Sequence, residues 1–455
     1  MKRIFAAIIA AVFMLSLIPA AFASGAESVV YDEREMNKLI DFFNIVGPDG
    51  VRNGDRIAPD FPPEDPDDWI VFTTSYYVQG VFWSDDGHEG HVTGIELSSM
   101  GLYGELDLSG FEWLDDVYVF DNNLTGINVS GSEQLDTLVC AMNDITHIEA
   151  ENVPSLQTLD INENRVSSVD LSGCPQLSTL DCGENELTAL DISQCPDLCE
   201  LICYDNMLTE IGVSGCRELE MLDCRNNGIP ALDLSKNSML DYIDVSGNPL
   251  TELDASKARY LYYLDCSSTD ISELKLPKGE CFEDIRCTDT KLVKLDLSAF
   301  EMLFLDEVRA EGEGFIGCIE NQMRSEVYAV PAEGGRFVGW YNEDGELLST
   351  EPVFGGVCQL SDDEEEIVGP DPIMLTGEKV WIARFESDGT PVEPTEPVEP
   401  TEPVEPTEPA EPTEPIVDEP SEPGAPQTGA VSFIGLGAAA IAAGIGAASF
   451  RRKKR

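Results

Sequence analysis

The sequence predicts a solenoid of short parallel strands, wound at a fixed period and closed at both ends by other structure. Three observations predict it. From Leu114 the chain can be cut every 21 residues and the blocks align without a gap. The first position of each block is Leu114, Leu135, Leu156, Leu177, Leu198, Leu219, Leu240, Leu261 and Phe282. The ninth is Asn122, Asn143, Asn164, Asn185, Asn206, Asn227 and Asn248, then Thr269 and Thr290, and the eleventh is always Leu, Ile or Val.

A period of about 20–29 residues with LxxLxLxxNxL is the leucine-rich-repeat signature. Its physical content is direct. Positions 4 and 6 are two apart and share one face of a short strand. Each strand stacks on its neighbour at ~4.8 Å, so inward residues form continuous apolar columns. Asn at position 9 turns the chain and is expected to bond backbone groups in the next coil. Nine regular coils give a solenoid roughly 45 Å long. An earlier block, VTGIELSSMGLYGELDLSGFEW, has 22 residues, and a degenerate one starts at Leu303.

The cysteines fall into this register. Position 6 holds Cys140, Cys182, Cys203, Cys224, Cys266 and Cys287, with Ile161 and Val245 at the same site, and position 19 holds Cys174, Cys195 and Cys216. A residue that alternates with aliphatics at an inward site behaves as a small hydrophobe. No CxxC pair exists, so zinc and thioredoxin-type readings lack their spacing. The chain has 13 cysteines, an odd number, which rules out complete pairing within it. Disulfides between adjacent coils are the alternative, although stacked strands suit them poorly. Cys318 and Cys358 lie outside the ladder and are the pair we expect if one forms.

Taken in chain order, the segments read as follows. Residues 1–23 carry Lys2 and Arg3, an apolar run to Ile18 and the small-x-small site Ala21-Phe22-Ala23. That is a secretory signal peptide cleaved between Ala23 and Ser24. Residues 24–91 form an N-terminal α/β cap over the first coil. Asp32 caps a helix through Phe43, with Met36, Leu39, Ile40 and Phe43 on one face, and the aromatics Trp69, Phe72, Tyr76, Tyr77, Phe82 and Trp83 follow. GHEGHVTGIELS resembles the lead-in to many repeat domains. The solenoid spans 92–314.

Residues 315–386 change character. Short apolar runs alternate with Gly, Asn, Asp and Pro turns, which reads as a small β module. Residues 387–424 are a Pro/Glu stalk, with Pro at every third position from Pro391 to Pro415. Proline forbids helix and sheet there. At ~3.1 Å per residue a polyproline helix of this length reaches roughly 110 Å. Residues 425–455 hold Ala425-Pro426-Gln427-Thr428-Gly429, an apolar run at 430–450 long enough to span a bilayer, and the basic tail RRKKR.

Composition limits function. Asp and Glu total 86 against 27 Lys and Arg, a formal charge of −59 over 455 residues. Such a surface repels nucleic-acid phosphates, so no nucleic-acid partner is expected. The three histidines, His88, His91 and His147, match no hydrolase pattern, and neither a GxSxG elbow nor a P-loop is present. His147 falls at position 13, a turn site. His88 and His91 with Asp85 and Asp86 read as a solvated loop or a weak metal site, and Asp362 to Glu366 as a solvated loop. The expectation is a non-enzyme with no cofactor and no metal.

The strand positions facing away from the core offer a ligand surface. Position 5 places Asp160 beside Asp181, and Asp223, Asp244 and Asp265 in a row. Unit charges that close repel by about 1 kcal/mol even in water. Solvation, local hydrogen bonds or a bound cation must offset this. Position 3 stacks Met221, Tyr242 and Tyr263, with Tyr204 and Arg225 at position 7 and Tyr262 alongside. Tyr118 and Phe120 stand in an earlier coil. Exposed aromatics and Arg mark interface cores. Tyr also simply suits an exposed strand position, and both readings stand at this point.

Two resemblances extend the reading. LxxLxCxxNxLTxLDLSxCxx resembles the cysteine-containing repeats of internalin-type surface proteins over about 200 residues. It implies parallel strands on a concave face and short extended or turn segments on the convex face. It also implies binding of a host or surface protein or glycan. Gly339-Trp340-Tyr341, Asp344-Gly345 and Ala383-Arg384-Phe385 resemble the β-grasp-like B-repeat of the same family. The C-terminal layout is similar to the wall-sorting signal of Gram-positive surface proteins. That implies cleavage by a sortase between Thr428 and Gly429, linkage of Thr428 to peptidoglycan, and membrane contact only before cleavage. The family's first residue is Leu, and here it is Ala425. The resemblance therefore implies an extracellular, wall-linked adhesin. A structural spacer with no specific ligand is the alternative.

Overall fold

The structure is a computed structural model. It describes residues 31–58, 61, 66, 69–72, 78–84, 90–278, 283–297, 307–321, 324–357, 359–360, 367–368 and 380–387. All of these fall in one compact unit, Ala20–Thr390. The expected signal peptide, stalk and sorting signal lie outside the described residues, as do His88, Cys358, Tyr76, Tyr77 and Asp362 to Glu366.

The protein is a leucine-rich-repeat solenoid. Its concave side is one fifteen-stranded sheet. The repeat strands are parallel and in strict 21-residue register: Leu180 pairs with Leu159 and Leu201, and Ile243 with Leu222 and Leu264. Three-residue strands such as Thr179–Asp181 are short because only positions 3 to 5 stay extended before the chain turns. The convex side carries a three-stranded sheet in the early coils and a two-stranded one later, Glu252–Asp254 with Glu273–Lys275. His147 begins one of these convex strands, His147–Glu149, and is not in the turn expected for it.

The turn between the two sides has two parts. Position 8 is left-handed in every coil from Ser99 to Asp289, including Met142, Glu163, Glu184 and Asp205, with φ of 49–59° except for Gly247 at 68°. That conformation costs a non-glycine residue about 1–2 kcal/mol. It is held because the position 8 N–H donates to a carbonyl one coil on, as from Glu184 to Tyr204. Asn at position 9 then ties each coil to the one before it. Asn185 Oδ1 accepts the Val166 N–H at 2.9 Å, and its Nδ2 donates to the carbonyls of Ile161, Cys182 and Gly183. The expectation was a bond to the next coil. The amide points back instead, where the preceding coil leaves a carbonyl and an N–H unpaired.

The core is the predicted set of columns. Leu at positions 1 and 4 and Cys, Ile or Val at position 6 are at most 2% exposed. Cys140, Cys182, Cys203, Cys224, Cys266 and Cys287 are buried and unbridged. Cys195 and Cys216 donate weakly to the carbonyls of Cys174 and Cys195, the same position one coil back. Burial pushes these thiols up, that of Cys174 to about 11 and that of Cys287 to about 12. Cys318 does not lie outside the ladder as expected. Its strand runs beside the last repeat strand, and Cys318 extends the Cys column, buried, with its carbonyl accepting from Cys287 N and Sγ.

Both ends of the concave sheet are closed by antiparallel strands. At the N-terminal end Val78–Trp83 pairs with Val92–Glu96, and Ile70–Phe72 is the edge. The cap helix Glu33–Phe43 starts where Asp32 Oδ1 accepts the N–H groups of Arg34 and Glu35. Its buried Phe43 meets the rings of Phe61 and Trp69, each at 5.0 Å. Glu35 pins the helix to the solenoid by accepting the Val92 N–H at 2.7 Å.

At the C-terminal end Gly314–Asn321 pairs with the strand Asp284–Arg286, followed by Arg324–Pro331 and Val353–Val357. A second sheet begins at Glu307–Glu311, which pairs with Lys294–Asp296 and Val380–Ser387. Trp340, Trp381, Phe354 and Phe385 fill the space between the sheets, with Phe354 stacked on Trp381 at 4.7 Å. The β module thus continues the concave sheet and builds a second, separate sheet on Lys294–Asp296, and its first strand precedes residue 315.

Candidate functional site: the concave sheet

Positions 2, 3, 5, 7 and 8 of each coil line the concave side. The strand fixes positions 3, 5 and 7, because positions 4 and 6 face the core and their neighbours face out, while positions 2 and 8 flank the strand at its two ends. Tyr242, Tyr263 and Met221 are register partners at position 3, as expected. Tyr204 and Arg225 stand beside them at position 7.

Most of this set is not exposed, which corrects the expectation for five residues. Tyr242 is 2% and Tyr263 6% exposed, and Tyr118, Tyr204 and Met221 are also buried. The cause is the strand spacing. Rings repeated every ~4.8 Å lean on one another and cover their own faces. Tyr242 stacks on Tyr263 with centroids 4.4 Å apart and planes 2° from parallel. The Arg286 guanidinium covers the far side of Tyr263. Tyr204 lies across Gly183, where a Cβ would strike its ring at 2.6 Å, and its hydroxyl meets Asn162 at 3.1 Å. Arg225 caps that ring at 4.1 Å. Tyr262 and Arg225 are the half-buried members of the predicted set.

Arg225 also answers the carboxylate question for one part of the row. It pairs with Asp223 and lies 3.6 Å from Asp244. Asp160, Asp181, Asp244 and Asp265 each accept the N–H two residues on, from Asn162, Gly183, Ser246 and Ser267. Local hydrogen bonds therefore offset part of the repulsion. Burial and neighbouring carboxylates still push the row up: Asp160 and Asp265 to about 6, Asp223 to about 7 and Asp181 well above its ordinary value. At the N-terminal end of the same row burial pushes Glu96 to about 7.

Arg225 and Arg286 are the only cations at the concave positions of the coils from Thr93 to Asp289. Both are already paired, Arg286 with Asp284 at 3.0 Å. Arg165, Lys236, Lys257, Lys275 and Lys294 stand at other positions of the coil. The concave side is therefore a strongly acidic surface over a tightly packed aromatic floor.

Other candidate chemistry is accounted for locally. His91 stacks on Trp113 and faces Glu35 at 3.3 Å. His147 is exposed, 3.7 Å from Glu105. Among the described residues no group of three or more His, Cys, Asp or Glu side chains is arranged to hold a metal ion. No described helix is long and apolar enough to cross a membrane, and the run at 430–450 lies outside the described residues. Five apolar or aromatic concave-side residues escaped sequence reasoning: Phe315, Ile319, Tyr328, Val330 and Val353. Their alternation was legible, but a module read as separate gave no reason to place them on the solenoid's sheet.

The description of leucine-rich repeats matches residues 154–194, as two copies. No curated protein matches the chain. Among solved structures it is similar to the functional domain of InlJ from Listeria monocytogenes, described as including a cysteine ladder. That match has 19% identity and a TM-score of 0.36, over 58% of this chain and 78% of that one. It is also similar to the leucine-rich-repeat protein LIC12759 of Leptospira interrogans, at 16% identity and a TM-score of 0.31, over 45% and 72%. An internalin (inlF) from Listeria monocytogenes matches at 15% identity and a TM-score of 0.30, over 43% and 79%.

Proposed function

We propose that this is a non-enzymatic binding protein displayed outside a Gram-positive cell, which takes a protein or glycan ligand on its concave face. The observation that carries the reading is the fifteen-stranded sheet that runs without a break from the cap through the repeats to the end strands. On this reading Tyr262 and Arg225 touch the ligand, and Tyr204, Met221, Tyr242 and Tyr263 form the floor that sets its shape. Residues 1–23 direct export, 387–424 hold the folded part away from the wall, and a sortase joins Thr428 to peptidoglycan. The motif order in the sequence supports that display.

The test is capture of extracellular proteins and glycans by residues 24–386. Thr179→Trp, in the middle of the concave face, abolishes capture. Ser193→Trp, on the exposed convex side, leaves it intact. A ligand captured equally by both variants rejects the concave face. A screen in which the unaltered protein captures nothing favours a spacer role.

A further inference from the structure

The proposed concave-face function leaves open which chemistry the face accepts, and the inference here rests on that reading. Three observations narrow it. First, the sheet does not end with the repeats. Arg286 is in register with Ile319, Ile319 with Glu326, Gly317 with Tyr328, and Tyr328 with Val353. Directly paired residues share a side of the sheet. Phe315, Ile319, Glu326, Tyr328, Val330 and Val353 therefore continue the concave side, with Glu326 accepting the Tyr328 hydroxyl and Lys291 Nζ 5.2 Å from the Phe315 ring centre. Val330 and Val353 are 39% and 47% exposed, while Val327, Ala329 and Phe354 turn to the core. This is an apolar shelf at the C-terminal end of an acidic track.

Second, no cation at a concave position of the coils stands free to balance the track. Its two cations are consumed by Asp223, Asp244 and Asp284. At its N-terminal end Glu96 is 6% exposed; its Oε1 accepts the Ser98 N–H, and its Oε2 has no hydrogen-bond partner among the described residues. A buried carboxylate oxygen left unpaired is costly unless a donor reaches it. Third, the stacked tyrosines of the floor offer a sugar ring no open face. Carbohydrate stacking needs an open aromatic face, and the faces of Tyr204, Tyr242 and Tyr263 are covered by Arg225, by each other and by Arg286.

We propose that the concave face binds a cationic, partly apolar polypeptide segment, with apolar side chains on the Phe315–Val353 shelf and Lys or Arg side chains along the Asp265-to-Asp160 row toward Glu96. Charge complementarity selects this partner and repels anionic glycans, nucleic acids and acidic proteins.

The experiment uses the full chain and three probes at about 0.15 M salt. They are a peptide of alternating leucine and lysine, its leucine–glutamate counterpart, and a neutral chitin oligosaccharide. One variant combines Asp160→Asn, Asp181→Asn and Asp265→Asn. Its charge-matched control combines Asp170→Asn, Asp191→Asn and Asp233→Asn on the convex side. All six carboxylates accept an N–H two residues on, which Asn preserves, so neither variant loses a turn. The leucine–lysine peptide alone binds. The concave variant weakens it about tenfold or more, as does Val330→Ser with Val353→Ser, and the convex control leaves it unchanged. Equal loss in the concave and convex variants overturns the proposal, because net charge alone then explains binding. Capture of the oligosaccharide that Thr179→Trp blocks overturns the polypeptide class while the concave reading stands. Binding of the leucine–lysine peptide that Thr179→Trp leaves untouched overturns both.

Discussion

Cys203 shows how one side chain carries the fold. It is fully buried, its thiol sits above Cys182 and below Cys224 in one column, and Val119 and Val245 occupy the same position in other coils. Cys203→Val should therefore change stability by less than about 1.5 kcal/mol. Cys203→Ser should cost about 1–3 kcal/mol, because a hydroxyl there has no built partner. Chemical denaturation of the two variants checks the contrast. Burial was legible at this scale because period and alternation fix which residues face inward. The covered state of Tyr242 was not, since sequence tells which face a ring leaves from but not how it leans on a ring one coil away. The left-handed position 8 was also hidden: Glu163, Glu184 and Met142 carry no local preference for it, and interstrand hydrogen bonds impose it.

The element that matters most is the single coil, tied to its neighbour by position 9. Asn185 satisfies one N–H and three carbonyls across two coils. Asn185→Leu leaves several of them buried and unpaired, so a loss of about 3 kcal/mol is expected. Asn185→Thr should cost less, since Thr269 and Thr290 hold the equivalent position by donating to Cys266 and Cys287 carbonyls. Thermal unfolding of both variants distinguishes them. The coil itself was readable from Leu, Asn and spacing. The end strands were not placed by sequence, because pairing of Gly314–Asn321 with the last repeat is a long-range choice that no local pattern encodes.

Over the whole molecule the acidic face sets the pH response. Glu96, Asp116, Asp160, Asp223 and Asp265 have folded-state pKa values of about 6 to 7, raised by burial and like charge. A carboxylic acid whose folded pKa is raised holds its proton more tightly in the native state. Its contribution is present below the ordinary carboxylate range and is lost as pH rises through 6 to 7. The exposed turn carboxylates Asp170, Asp191 and Asp233 are lowered by hydrogen bonds and act oppositely, weakening the fold only as pH falls below the ordinary aspartate value. Tm should therefore peak at about pH 4, near the ordinary carboxylate value, and fall toward about pH 7, and melts across that range read it directly. Added salt should narrow the gap by screening the partly exposed charges.

The account turns on which side of the ribbon meets the ligand. A photo-crosslinking residue placed at Thr179 on the concave side, or at Ser172 on the convex side, measures this in one experiment with the extracellular material the protein meets. We expect covalent adducts from position 179 and none from position 172; adducts from 172 alone, or equally from both, would contradict the account.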